Sequence, residues 1–141
     1  MENPTAINVL FSTGKILLAF LLVLLNGLFV AAEFSFVKVR PTRISQLVSE
    51  GNRKAALVQE CINKLDAYLS VSQLGITLSS LGLGWLGEPA VAALLSPLLF
   101  KWGINTPALV HSISFIFAFA LITFLHVVFG ELAPKTLAIQ K

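Results

Sequence analysis

Three stretches of this chain have the length of a membrane crossing and almost no charge. They are residues 16–37 (ILLAFLLVLLNGLFVAAEFSFV), 67–87 (AYLSVSQLGITLSSLGLGWLG) and 108–129 (ALVHSISFIFAFALITFLHVVF). The first holds one charge, Glu33, and the other two hold none when their histidines are neutral. Each approaches the roughly 20 residues that a helix needs to cross the hydrocarbon core. The composition agrees. Of 141 residues, 56% are hydrophobic and 12% charged, where a soluble domain carries about 25% charged residues. The expected fold is an all-α polytopic membrane protein, with three transmembrane helices plus short interfacial helices. The first run is too long for a signal-peptide core, and Glu33 and Lys38 stand where a cleavage site would need small residues.

Net charge is +3, but the basic residues form no nucleic-acid footprint. Lys38, Arg40, Arg43, Arg53, Lys54 and Lys64 all fall between the first and second runs. By the positive-inside rule that connection is cytoplasmic, the N-terminus is outside, and Glu131, Lys135 and Lys141 emerge in the cytoplasm. The expected location is the cell (inner or plasma) membrane. The basic connection breaks at Gly51-Asn52, and apolar residues recur at helical spacing on both sides, which predicts two short amphipathic helices on the inner membrane face. A further run, PAVAALLSPLLF (89–100), is too short to cross. Its two prolines suit a surface or re-entrant helix.

Polar groups inside a span are costly and need a partner or a function. Asn26 lies near the middle of the first run. Gln73, Thr77, Ser80 and Gly84 form a stripe on the second, and the third ends at Gly130-Glu131 with Pro134 after it. Proline removes a helix hydrogen bond and frees nearby carbonyls. A set of hydroxyl, amide, carboxylate and carbonyl oxygens favours a hard cation such as Mg²⁺ over zinc or copper. Each residue also has a structural alternative. A Ser/Thr/Gly stripe is more often helix packing than a ligand set, and Gly75, Ser79 and Gly82 form a packing face of that kind. Glu33 suits a pair with a cytoplasmic Lys or Arg, Glu131 a solvated end, and His126 an ordinary interhelical hydrogen bond. Cys61 stands alone, without a disulfide or thiolate metal site. No nucleophile–base pair or H-E-x-x-H spacing points to an enzyme.

The segments LLNGLFVAAEFSFVKVR, LSVSQLGITLSSLGLGWLGEPA and HVVFGELAPKTLA resemble the transmembrane domain of the CNNM/CorC family, hemolysin-like proteins related to magnesium and cobalt efflux factors. The resemblance runs from about Leu17 to Gln140, and all of residues 1–141 read as one such domain. It implies three transmembrane helices, a homodimer within the lipid bilayer, and a following juxtamembrane helix and cytoplasmic CBS domains, so the expectation is that these 141 residues are a fragment of a longer protein. It also implies Mg²⁺ (or another divalent cation) exported from the cytoplasm, with Na⁺ as coupling ion. The family's third-helix glutamate matches Glu131. Its first-helix serines match Asn26 and Val30, and its second-helix asparagine falls near Ile76 and Thr77. The ligand set expected here is therefore Glu131, Asn26, Thr77 and Gln73, with backbone carbonyls at the Gly130–Pro134 break. The rival expectation is a non-transporting sensor or anchor whose polar stripe only packs helices.

Overall fold

The computed structural model describes residues 4–140, with side chains described from Thr13 onward. The ends of the chain, on which the expected outside N-terminus and the cytoplasmic Lys141 fall, lie outside the described residues. In order the elements are α1 (Pro4–Lys38), α2 (Pro41–Ser49), α3 (Arg53–Asn63), α4 (Leu65–Lys101), α5 (Pro107–Leu125), a π-helical turn (His126–Leu132) and α6 (Ala133–Gln140). The described residues are helical apart from short connections. Three helical segments are long and apolar enough to cross a membrane: Thr13–Lys38, Leu65–Lys101 and Pro107–Gln140.

The turns follow local chemistry. Pro41 and Pro107 begin α2 and α5, where a missing N–H costs nothing. Gly51 takes φ +83°, a left-handed conformation that ends α2. Asn52 then caps α3, its Oδ1 accepting from the Lys54 and Ala55 N–H groups at 3.0 and 3.1 Å. The two short helices of the basic connection are present and pack on each other. Ile44 and Ala55 are buried, and Gln59 Nε2 donates to Ser45 Oγ across the pair.

α4 differs from the sequence expectation. Residues 89–100 form no separate surface or re-entrant helix. They continue α4 with Pro89 and Pro97 inside it, and the helix runs on to Lys101. At 1.5 Å per residue its 37 residues extend about 55 Å, well beyond a hydrocarbon core about 30 Å thick. Membrane helices tolerate internal prolines where neighbouring helices compensate.

α1 packs along α4, and α4 along α5. The core is small: Ala19, Val23, Leu83 and Ile122, with Leu22 and Val91 against them. Close approach depends on small residues. A Cβ at Gly75 would lie 2.5 Å from the Phe29 ring, and one at Gly82 would lie 3.2 Å from Leu22 Cδ1, while Ser79 between them is buried. Most of the apolar surface faces outward. Within an apolar 18-residue stretch of each span only 22–28% is buried, and Phe20, Leu78, Ile116 and Phe124 are all about 60% exposed. Such a surface suits lipid rather than water.

Candidate cation site

The third span does not end at Gly130. Pro134 has no N–H to give the Gly130 carbonyl four residues back, and its ring would press on that carbonyl in a regular α-helix. The helix widens instead into the π turn His126–Leu132, in which the Ala133 N–H reaches the Val128 carbonyl. The carbonyl that Pro134 leaves free finds its donor on another helix. Asn26 Nδ2, in the middle of α1, donates to Gly130 O at 2.9 Å. Asn26 is 1% exposed, so this bond forms where water cannot replace it.

Glycines bring the backbones this close. A Cβ at Gly27 would lie 3.3 Å from Phe129 O and 3.4 Å from Pro134 Cγ, and one at Gly130 would lie 3.0 Å from Asn26 Nδ2. Either substitution would push α1 and the π turn apart.

α4 supplies the third side. Ser80 Oγ donates to Asn26 Oδ1 at 3.3 Å and lies 3.2 Å from His126 Nε2. His126 Nε2 in turn lies 3.3 Å from Glu131 Oε1. A carboxylate only accepts, so this contact assigns the proton to Nε2, which then also donates to the Ser80 oxygen. His126 and Asn26 Nδ2, 3.4 Å apart, are then two donors side by side. One network joins all three spans through Asn26, Ser80, His126, Gly130 and Glu131.

The network sits midway along the first span. Asn26 is twelve residues before Lys38, about 18 Å along α1. Glu131 is tied to that level through His126 and Gly130. The chain past it stays against α1: Lys135 Nζ lies 4.7 Å over the Phe34 ring. Glu131 is about half exposed, onto a cavity of about 430 Å³. Ser80, His126, Gly84, Glu88 and Thr123 line the same cavity, and Phe115, Phe119, Ile122 and Val127 make most of its wall apolar.

The other residues singled out from the sequence are placed elsewhere. Gln73 and Thr77 are exposed and outside the cavity, and Thr77 Oγ1 donates to the Gln73 carbonyl of its own helix. Gly75, Ser79 and Gly82 face α1. Val30 is buried, and Glu33 makes no ion pair among the described residues. Sequence reasoning passed over Ser80 as a partner of Asn26, His126 as the link to Glu131, and Glu88 entirely. The i, i+4, i+8 spacing of Ser80, Gly84 and Glu88 was the signal available for the first and last. Among the described residues no cluster of three or more His, Cys, Asp or Glu forms a metal cage.

The pattern of the Cyclin M transmembrane N-terminal domain matches residues 17–141. The chain belongs to the CNNM family. CNNM-type relatives include three UPF0053 proteins of Bacillus subtilis (strain 168): YhdT, 56% identical, YhdP, 54%, and YugS, 49%. Each match covers 90% of this chain but only 27–29% of the relative. The chain thus spans less than a third of the length of these proteins. A multi-pass CNNM membrane domain is consistent with a role in divalent cation transport.

Proposed function

We propose that this domain binds a divalent cation, Mg²⁺ first among them, at Glu131 and passes it out of the cytoplasm. The observation that carries this reading is the Glu131 carboxylate, held level with Asn26 in the middle of the first span and open to a largely apolar cavity that Ser80, Thr123 and His126 also line. A carboxylate in a span is costly unless it meets a partner or an ion. Mg²⁺ gives up its waters reluctantly and is commonly held by one or two carboxylates while keeping several waters. One acid, the Ser80 hydroxyl and a cavity with room for water fit that demand better than a full protein cage, while Asn26, buried off the cavity, orients Ser80 through its amide oxygen. His126 holds Glu131 in place when no cation is there, and the arriving ion displaces that hydrogen bond.

The family resemblance further supports a homodimer, Na⁺ as coupling ion and CBS domains in the longer relatives.

A second reading has its own support. No buried polar side-chain atom among the described residues lacks a partner, as a network that merely locks three helices would require. On that reading the domain is a sensor or anchor that transports nothing. Mg²⁺ titration by calorimetry separates the two. With wild-type protein and Glu131→Gln both monodisperse by gel filtration, the cation site requires affinity to fall by about a hundredfold or more, the scale of a lost buried charge partner. Equal affinity leaves the anchor reading standing.

A further inference from the structure

The cavity beside Glu131 contains a second acid that the network does not use. Ser80, Gly84 and Glu88 follow one another along a single stripe of α4, and all three line the cavity. Glu88 is eight residues past Ser80, about 12 Å along the helix. The register of α5 confirms its depth. His126 meets Ser80 at 3.2 Å, and a Cβ at Gly87 would lie 3.0 Å from Ile122 Cδ1. α4 and α5 therefore run antiparallel, and Glu88 sits toward the membrane face opposite the basic α2–α3 connection. It is still within the roughly 15 Å half-thickness of the hydrocarbon core.

Glu88 is half-buried and has no hydrogen-bond or ion-pair partner among the described residues. An unpaired acid at that depth marks an ion or proton route by default. The space between the acids is open. A Cβ at Gly84 would meet nothing within 4 Å, and the Thr123 hydroxyl lines the same stretch.

We propose that Glu88 is a second, release-side stop for the same partly hydrated divalent cation, which moves from Glu131 past Gly84 and Thr123 to Glu88. This rests on the reading of Glu131 as the binding acid. A single deep carboxylate would hold a divalent ion without an onward partner. A second one farther along the same cavity lowers the barrier to leaving.

The test uses the full chain reconstituted into liposomes, with Mg²⁺ flux followed by an entrapped dye and Mg²⁺ binding by calorimetry. If the route is hydrated, as a partly hydrated cation requires, a charge on the order of 12 Å away changes affinity at Glu131 by about threefold. Glu88→Gln is therefore expected to bind Mg²⁺ nearly as wild type but to transport it about tenfold or more slowly, in maximal rate rather than in half-saturation. Glu88→Asp, which keeps the charge, is expected to recover much of the rate. Wild-type flux in a folded Glu88→Gln overturns the inference and leaves the Glu131 site intact. Loss of binding along with flux also overturns it, since Glu88 would then belong to the first site. If wild type neither binds nor transports Mg²⁺, the reading of Glu131 fails and this inference with it. If Glu88→Gln does not fold, Gly84→Leu, which fills the passage and spares both acids, is expected to block flux while binding persists. Normal flux in that variant counts against the route.

Discussion

α4 and the third span both carry prolines inside helices, with opposite results. Pro89 and Pro97 pass through α4 without changing its hydrogen-bonding period. Among the described residues, no side chain reaches the Trp85 or Ala93 carbonyls that these prolines deprive of donors. Pro134 sits beside a π turn, and the carbonyl it frees receives the Asn26 amide from α1. A proline thus marks a site where two further things happen: the helix widens, and another helix supplies the missing donor. The widening also matters for direction. In the π turn the period lengthens to about five residues, so Glu131 comes round beside His126, five residues before it, where a regular helix would leave it about 140° away. That places Glu131 on the cavity.

The contrast can be broken most severely at Pro134. Pro134→Ala restores the N–H and removes the ring, so the π turn is expected to relax to α-helix and swing Glu131 off the cavity. Cation affinity should then fall by at least about tenfold. Thermal stability should change little or rise, because removing an internal helix proline relieves about 3 kcal/mol against about 1–3 kcal/mol for the Asn26 amide that loses its acceptor. Calorimetry and thermal unfolding in detergent check both, and a drop in stability with unchanged binding would contradict the expectation.

Next in size is Asn26→Leu, which strips the donor from Gly130 O and the acceptor from Ser80. Unsatisfied buried groups cost about 1–3 kcal/mol, and interhelical hydrogen bonds in membranes fall at the lower end of that range. A loss of about 2 kcal/mol in unfolding free energy is expected, with faster hydrogen exchange in the π turn. Gly75→Leu tests the packing that carries Asn26 into place. It forces the Phe29 ring away and should lower the melting temperature, whereas Gly84→Leu, with open space around it, should not. The smallest effects are expected where the same residue types do no joining. Pro89→Ala and Thr77→Val should each leave cation affinity unchanged within about twofold, since Thr77 only bonds its own helix.

The sequence made the spans legible because length and lack of charge suffice to mark them, and the α2–α3 turn because Gly51 and Asn52 have one economical use. It misled at residues 89–100 because Pro89 and Pro97 read as punctuation in water but not within a packed membrane helix. Ending the second run at Gly87 also hid Glu88, the next residue. In the site, Asn26 was legible as a costly group inside an apolar run, and Glu131 as an acid at a helix break marked by Gly130 and Pro134. Ser80 was not separable from Thr77, because both lie on the same stripe at spacings a helix allows. Only the register of α4 against α1 and the π turn places Ser80 against Asn26 and His126 and leaves Thr77 outside. No spacing rule encodes that register.

The central claim is that a divalent cation sits on Glu131 between the three spans. Crystals grown in Mn²⁺, measured at the manganese absorption edge, test it most directly. The expected result is an anomalous peak within coordination distance of the Glu131 carboxylate and beside Ser80, absent from isomorphous crystals of Glu131→Gln. A well-ordered Glu131 with no peak beside it at saturating Mn²⁺, or a peak that survives Glu131→Gln, would contradict the claim.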